Sequence, residues 1–183
     1  MSLVASGKSG TIGKYLDSSV LSLNQRLNDL DVNALNIEKN DTYIHMAGMV
    51  GPKLVSDYPV ESRLINVEST LRLAEHCLNI GAKRFIFIST SHVYAPGSED
   101  KHENSNLEPM NKYAEQKLEA ELELKRMYSE NIEKLLILRI FSILDWDVKP
   151  FTLGGAISKV LQDPNYIISN GDDLRDFLTP QQA

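Results

Sequence analysis

Short apolar runs that alternate with longer amphipathic segments are the feature that most constrains the fold of this chain. Most of these runs are rich in β-formers and apolar on both faces, as buried parallel strands are. They cover residues 3–5, 20–23, 43–47, 84–89 and 135–141. Strands that alternate with helices predict a parallel sheet with crossover connections. We therefore expect an α/β fold, a Rossmann-like doubly wound sheet with helices on both faces.

Two segments predict the main helices. Between residues 59 and 79, apolar side chains recur in steps of four and three and form one helix face: Val60, Leu64, Val67, Leu71, Ala74 and Leu78. Pro59 suits a first helical turn and Gly81 suits the end of the helix. A second helix is expected over residues 112–128.

Two polar segments, 48–57 and 95–111, are rich in Gly, Pro, Asn and Ser and predict exposed loops. In an open α/β sheet, ligands bind at loops that follow the carboxyl ends of the strands. These loops are therefore the expected surroundings of a binding site.

Composition limits the class of protein. The chain has 183 residues, enough for one domain with a sizeable core, and 42% of them are apolar. A formal net charge of -6 argues against nucleic acid as a partner. No apolar run approaches the ~20 residues of a membrane span, and no secretory leader pattern precedes the first strand. Cys77, the single cysteine, excludes an internal disulfide. We expect a cytoplasmic protein without nucleic-acid or membrane partners.

The segment SGKSGTIG, residues 6–13, contains two competing phosphate-binding patterns. A nucleoside-triphosphate loop requires Gly-x-x-x-x-Gly-Lys-Ser/Thr, and here the first glycine would fall on Ser2, so the pattern fails. Gly7, Gly10 and Gly13 instead follow a predicted strand and open a predicted helix, where backbone amides can approach a dinucleotide pyrophosphate. This spacing is weak evidence alone, because a turn that only requires glycines has the same pattern.

The sequence leaves the choice between NAD and NADP open. The predicted strand 20–23 is followed by Asn24, Gln25 and Arg26, with no acidic residue to bind an adenosine ribose. Arg26 is suited to the 2′-phosphate of NADP, and a solvated loop charge is the equal alternative.

Three features further along the chain predict a redox site. A buried strand ends in Ser89, Thr90 and Ser91, and Tyr113 and Lys117 lie four residues apart on one helix face. The third is the segment NVEST, which begins at Asn66 on the helix before that strand. A neighbouring ammonium lowers the pKa of a tyrosine, so Lys117 can activate Tyr113 as an acid or base. Thr90 can bind the substrate oxygen while a nicotinamide exchanges the hydride. For the Tyr–Lys spacing alone, an ordinary exposed helix pair is the alternative.

Taken in order, these motifs resemble the extended short-chain dehydrogenase/reductase family, the NAD-dependent epimerases and dehydratases. The matching segments are SGKSGTIGKYL, DTYIHMAG, NVESTLRLAEHCLNIGAKRFIFISTSHVYAPG, NKYAEQKLEAE, ILRIFSIL and NGDDLRDFLTP. The resemblance implies NAD or NADP as cofactor and a nucleotide-sugar as substrate.

The resemblance also implies residue roles. The catalytic positions are Thr90, Tyr113 and Lys117. The cofactor-binding positions are Gly7, Gly10, Thr11, Ile12, Gly13, Ala47 and Gly48, together with Tyr113, Lys117 and the candidate Arg26. The substrate-binding positions are Thr90, Ser91, His92, Ser142 and Arg175, and a structural ion pair is the alternative for Arg175. No metal site is expected, because the adjacent His76 and Cys77 diverge by about 100° on a helix.

Several positions depart from the family pattern. Ser91 and His92 occupy the places of the Asp-Glu of sugar 4,6-dehydratases, which argues against that reaction. Ser142 replaces a family Asn, and the segment 26–41 is too compact for the usual helix-strand-helix. We assign residues 1–145 to an NAD(P)-binding domain and 146–183 to the start of a substrate lobe that is short or truncated.

Two functional hypotheses follow. The first is an NAD(P)-dependent nucleotide-sugar epimerase or reductase. The second is a reduced, non-catalytic dinucleotide-binding module with a regulatory or scaffolding role. By resemblance alone we also expect a homodimer through the helices 59–79 and 112–128.

Overall fold

The central sheet contains five parallel strands in the order β2-β1-β3-β4-β5. The computed structural model describes residues 2–23, 25–97, 99–144, 153–163, 165–167 and 176–183. The strands are β1 Leu3–Ser6, β2 Leu21–Ser22, β3 Thr42–His45, β4 Arg84–Thr90 and β5 Leu135–Ile140. A separate parallel pair is formed by β6 Ser142–Ile143 and β7 Phe177–Leu178. All five predicted strands and the Rossmann-like parallel sheet are confirmed.

The described helices are α1 Pro52–Asp57, α2 Pro59–Arg63, α3 Ser69–Asn79, α4 Lys112–Met127 and α5 Leu153–Gln162. A π turn, Leu64–Glu68, joins α2 to α3, so the segment 59–79 is helical as predicted. The prediction of a loop over 48–57 is partly wrong, because α1 begins there at Pro52, which suits a first helical turn. Within the described ranges, no helix has the length and apolarity needed to cross a membrane.

The buried face of segment 59–79 differs from the predicted one. Of the six predicted apolar residues only Val67 and Ala74 are buried, and Val60 is 83% exposed. Four polar residues take buried positions: Ser62, Asn66, Ser69 and Thr70. The π turn inserts an extra residue, so a face drawn with a constant helical period does not continue across it. The polar side chains are tolerated because each has a hydrogen-bond partner.

One face of the sheet packs against α3 and α4 and forms the core. Tyr43, Phe85 and Phe87 are fully buried there, against helix residues that include Leu73, Ala74, Cys77, Ala120 and Leu124. Tyr128, just after α4, donates from its hydroxyl to the carbonyl of Ala74 at 2.8 Å and so joins the two helices. The core therefore fixes α4 relative to strand β4.

The opposite face of the sheet is only partly covered by the described residues. Half-buried apolar side chains line a cavity of about 250 Å³ on this face: Ile44, Met46, Ile86, Ile88 and Leu138, with Tyr15, Pro180 and Ala183 among the residues at its border. The helix expected after the glycine loop is reduced to one 3-10 turn, Gly13–Tyr15. The sequence predicts a short helix at this position, and a single turn forms there.

The segment between β2 and β3 is as compact as its sequence predicts. It contains two 3-10 turns, Leu27–Asp29 and Val32–Ala34, and its described residues form no strand. Leu27, Leu30, Leu35 and Ile37 are buried and join the main core. The sheet gains no strand from this segment, but its described residues contribute apolar packing.

His45, at the end of β3, is fully buried and connects strand β1 to helix α3. Its Nδ1 lies 2.8 Å from Oγ of Ser6, and its Nε2 lies 2.9 Å from Oγ1 of Thr70. The Thr70 hydroxyl donates to the carbonyl of Asn66, so it accepts from Nε2–H of His45. His45 is therefore the neutral Nε2–H tautomer. Burial, with a smaller effect of the Lys117 charge, lowers the pKa of His45 to about 3.

We expect His45 to make the protein sensitive to acid. Between about pH 6.5, the ordinary value for an unfolded histidine, and about pH 3, the unfolded state binds a proton that the folded state rejects. The contribution of neutral His45 to the free energy of unfolding is therefore complete above pH 6.5. It is lost as the pH falls, by up to about 1.4 kcal/mol per pH unit. Chemical denaturation across this range should show a weaker pH dependence for His45→Gln. The exposed control His102→Gln should retain the wild-type dependence, and an unchanged His45→Gln profile would contradict this assignment.

Candidate functional site

The carboxyl ends of β1, β3 and β4 bring the predicted cofactor loop and the predicted catalytic strand end to one edge of the sheet. Gly7 follows β1, Ala47 and Gly48 follow β3, and Ser91 follows β4. Because all four strand pairings in the sheet are parallel, these segments emerge on the same side.

The backbone of the glycine loop packs closely against itself and against the residues that follow β3. Gly7 has φ +74°, and a Cβ there would lie 2.7 Å from the amide nitrogen of Ala47. A Cβ on Gly13 would lie 2.3 Å from the carbonyl oxygen of Gly7. The Gly10 amide donates to that same carbonyl at 2.9 Å. Gly7 and Gly13 are therefore required by close backbone packing, whether or not a ligand binds.

The ammonium of Lys8 bonds to main-chain carbonyls of the protein. It donates to the carbonyls of Val20 and of Asp17, the latter at 3.2 Å. These bonds tie the loop to the chain entering β2. The arrangement agrees with the failed nucleoside-triphosphate pattern.

The loop offers backbone donors rather than a long helix N-terminus. Within the described residues, the amides of Thr11 and Ile12 have no protein acceptor. The turn Gly13–Tyr15 is too short to supply the dipole of a full helix. Arg26 is exposed and lies just before the turn Leu27–Asp29, beyond the edge strand β2. The loop can therefore bind an anion mainly through its individual amides.

Asn66 is a buried hydrogen-bonding centre to which the sequence analysis assigned no role. Its Oδ1 accepts from the amide of Met49 at 2.7 Å, and its Nδ2 donates to the Met49 carbonyl at 3.0 Å. Nδ2 also donates to Oε1 of Gln116 at 2.9 Å, and Gln116 in turn donates to Ser62 at 2.9 Å. Asn66 thereby ties the segment after Gly48 to helix α4. A polar residue within an apolar helical pattern was the available signal.

The end of β4 is bonded to the start of α4. Oγ1 of Thr90, a buried residue, accepts from the amide of His92 at 3.3 Å. Nδ1 of His92 lies 3.4 Å from Nδ2 of Asn111, whose Oδ1 caps α4 by accepting from Ala114 at 3.0 Å. Tyr113 is the second residue of α4. Thr90, Ser91 and His92 are thus held beside the first turn that carries Tyr113.

Tyr113 and Lys117 share one face of α4, as predicted, but burial acts against the predicted charge states. Lys117 is 6% exposed, and its Nζ lies 3.8 Å from the ring centroid of Phe87. Burial lowers the pKa of Lys117 to about 7, while Glu121 acts in the opposite direction. Burial raises the pKa of Tyr113 to about 12. The expected lowering of the Tyr113 pKa is absent in this state because desolvation dominates.

The remaining predicted residues lie further along the chain. Ser142 is half-buried, begins β6 and pairs in register with Phe177. Arg175 lies outside the described residues. No group of three or more His, Cys, Asp or Glu side chains that could hold a metal occurs among the residues that the structure describes.

The five-stranded parallel sheet with a glycine turn after its first strand is a Rossmann-like fold. The family model "NAD dependent epimerase/dehydratase family" matches residues 26–180, which is most of the chain. The chain belongs to this family. The match begins after the glycine loop.

Individual relatives agree with this family. The uncharacterized UDP-glucose epimerase YtcB of Bacillus subtilis (strain 168) is 30% identical over 115 residues, which cover 61% of this chain and 36% of that protein. The chain thus spans about a third of the length of the curated relative that it matches. MoeE5, solved with UDP-glucose and NAD, is 25% identical with a TM-score of 0.82, covering 98% of this chain and 68% of that one.

A second solved structure shows the same fold. The UDP-glucuronic acid 4-epimerase from Bacillus cereus, in complex with UDP-glucuronic acid and NAD, is 22% identical with a TM-score of 0.82. The alignment covers 98% of this chain and 69% of that chain.

We expect the loop glycines to differ in their tolerance of a methyl group. Gly13→Ala should lower the free energy of unfolding by about 1–3 kcal/mol, because its Cβ would meet the backbone of Gly7 and Lys8. Gly10→Ala should cost much less, since only the Gly7 carbonyl lies nearby, at 3.1 Å. Urea denaturation of the two variants measures the difference, and equal losses would contradict the packing described for Gly13.

We also expect Lys117 to lower stability at neutral pH. Its folded pKa of about 7 lies below the unfolded value of 10.5, so the ammonium is destabilising below pH 7. This destabilisation disappears as the pH rises from 7 to 10.5. Lys117→Met should therefore raise the free energy of unfolding by about 1 kcal/mol or more at pH 7, and by less at pH 10. The exposed control Lys125→Met should change little, and a destabilised Lys117→Met would refute the prediction.

Proposed function

We propose that this chain forms the cofactor-binding part of an NAD(P)-dependent nucleotide-sugar epimerase or reductase that works by hydride transfer. The observation that carries the proposal is the placement of Thr90 beside the turn of α4 that bears Tyr113, at the same sheet edge as the glycine loop. Burial of the Lys117 ammonium opposes stability, which is typical of a group that is retained for function.

The residues of the loop fit a dinucleotide. The unpartnered amides of Thr11 and Ile12, among the described residues, are donors suited to a pyrophosphate. Gly7, Gly10 and Gly13 keep the loop free of side chains at the turn, and Ala47 with Gly48 borders it from β3. Bound NAD(P) would supply the hydride acceptor and donor. Arg26 is the candidate contact to a 2′-phosphate, should the cofactor be NADP.

In this proposal the chain's own residues move and hold the proton. Tyr113 exchanges a proton with a substrate hydroxyl through its Oη, and Thr90 orients that hydroxyl with Oγ1. Lys117 would hold the ribose of the cofactor and would stabilise the Tyr113 phenolate. Because burial raises the Tyr113 pKa to about 12 in this state, activation requires additional positive charge, which an oxidised nicotinamide would supply.

The substrate proposal rests on the relatives. MoeE5 was solved with UDP-glucose and NAD, and YtcB is named a UDP-glucose epimerase. We propose a nucleotide-sugar substrate that contacts Ser91, His92 and Ser142, with Arg175 near the diphosphate. Residues 1–145 would form the cofactor domain, and residues 146–183 the start of the substrate lobe.

A homodimer in the cytoplasm completes the proposal. Val60 on α2 is 83% exposed and Leu122 on α4 is 54% exposed, which leaves apolar surface for a second copy on the expected helices. Arg63 already links these helices through Glu119 at 2.5 Å. Cys77 is a buried free thiol, in keeping with a reducing compartment.

Two observations favour the alternative of a non-catalytic dinucleotide-binding module. The helix after the glycine loop is a single 3-10 turn, which weakens the electrostatic attraction for a pyrophosphate. The Tyr113 pKa is raised rather than lowered. A module that binds but does not turn over substrate would have both features.

We expect cofactor binding and turnover to separate in Tyr113→Phe. Thermal unfolding with NAD+, NADH, NADP+ and NADPH should show a raised midpoint for one pair, equivalent to about 2.7 kcal/mol at 100 times Kd. Tyr113→Phe should retain this shift and lose epimerisation of UDP-glucose or UDP-glucuronic acid in the presence of NAD. Gly13→Ala is the matched variant that should weaken the shift.

The outcomes separate the hypotheses. A shift without turnover in the wild type favours the binding module. No shift with any dinucleotide removes both hypotheses for this chain. Turnover by Tyr113→Phe at the wild-type rate would exclude Tyr113 as the acid/base.

A further inference from the structure

Helix α4 carries a buried charged cluster on the side that faces strands β4 and β5. Glu121 is 0% exposed. Arg139 of β5 donates from Nη2 to Oε2 at 2.7 Å and from Nε to both carboxylate oxygens at 3.1 Å. Ser89 of β4 donates from Oγ to Oε1 at 2.5 Å. Four hydrogen bonds to one carboxylate fix both its position and its negative charge.

This cluster adjoins Lys117 within the same interface. Glu121 follows Lys117 by four residues, so the two side chains share a helix face, about 6 Å apart along the axis. Lys117 lies over Phe87, and Glu121 bonds to Ser89, the next side chain on that face of β4. Both groups are almost completely buried, where screening by solvent is weak.

Among the described residues, Glu121 is the negatively charged group that acts on Lys117. His45 approaches from β3 and is neutral, and Tyr113 on α4 is a neutral phenol because burial raises its pKa. Arg139 of β5 carries a positive charge and bonds to the Glu121 carboxylate. Burial lowers the pKa of Lys117 to about 7, and the Glu121 carboxylate is the opposing influence. Lys117 is therefore close to the balance between its charged and neutral forms.

We propose that the Glu121–Arg139 pair sets the charge state of Lys117. Glu121 is the counter-charge that keeps Lys117 protonated, and Arg139 weakens this effect. The bidentate guanidinium neutralises part of the carboxylate charge that Lys117 would otherwise experience. Both are positioning residues. Their relevance to catalysis rests on the proposed function, in which the Lys117 ammonium stabilises the Tyr113 phenolate.

Arg139 also connects this cluster to the polar loop that follows β4. Its guanidinium carbon lies 4.8 Å from the ring centroid of Tyr94, and Nη1 donates to the carbonyl of Glu103 at 3.3 Å. The loop is closed by an antiparallel bridge between Tyr94 and Leu107. A rearrangement of this loop that displaced Arg139 would therefore change the charge that Lys117 experiences.

The test is an NMR titration of the lysine side-chain 13Cε and 15Nζ signals in the full chain without ligands, with Lys117 assigned from Lys117→Met. Glu121→Gln should lower the pKa of Lys117 by about one pH unit or more, and Arg139→Gln should raise it. Loosened packing would expose Lys117 and raise its pKa in both variants, so shifts of opposite sign report the charges themselves. Glu119→Gln, an exposed carboxylate on the same helix, is the matched control and should leave Lys117 unchanged.

A Lys117 pKa that is unchanged or raised in Glu121→Gln, or one that is not raised in Arg139→Gln, overturns the proposal. Each single variant leaves one buried charge unpaired and can prevent folding. The double variant Glu121→Gln with Arg139→Gln keeps two neutral hydrogen-bonding side chains. It should lower the Lys117 pKa, because Glu121 is the charge that acts directly on Lys117, and an unchanged or raised value refutes the proposal. The titration needs no cofactor. If the Lys117 pKa shifts in the expected directions but no dinucleotide binds, the proposed function fails and the present proposal stands.

Discussion

The burial of the Lys117 ammonium between helix α4 and strand β4 is the constraint on which the rest of the site depends. The cation rests on the Phe87 ring at 3.8 Å, and one turn later Glu121 bonds to Ser89 of the same strand. These two contacts fix how α4 lies along β4. The cap of α4 at Asn111 is then held near His92, so the first helical turn meets the end of the strand.

This arrangement places stability and chemistry in opposition. Burial lowers the Lys117 pKa to about 7 and raises the Tyr113 pKa to about 12, so desolvation favours the neutral form of both. A charged residue kept in such a place at a cost to stability is a recognised mark of a functional site. Any positive charge bound near Tyr113 would favour its phenolate.

A second, uncharged network joins the glycine loop to the same helix. Ser6, just before Gly7, bonds to His45, which bonds to Thr70, whose hydroxyl donates to the Asn66 carbonyl. The Asn66 side chain then reaches Gln116, between Tyr113 and Lys117. Polar side chains replace apolar packing along this path, and each is tolerated because it is satisfied. The glycine loop and α4 are thus connected through the interior.

By itself the sequence determined the parallel strands, helix α4 and the Tyr113–Lys117 face, because periodicity and spacing are local properties. It did not predict helix α1 or the buried face of 59–79, since the π turn at Leu64–Glu68 breaks the period on which that face was drawn. Only the tertiary structure decided the roles of Asn66, Glu121 and Arg139, whose partners lie on other elements. The charge states of Tyr113 and Lys117 were also decided there, because desolvation depends on all the neighbours that exclude water from a group.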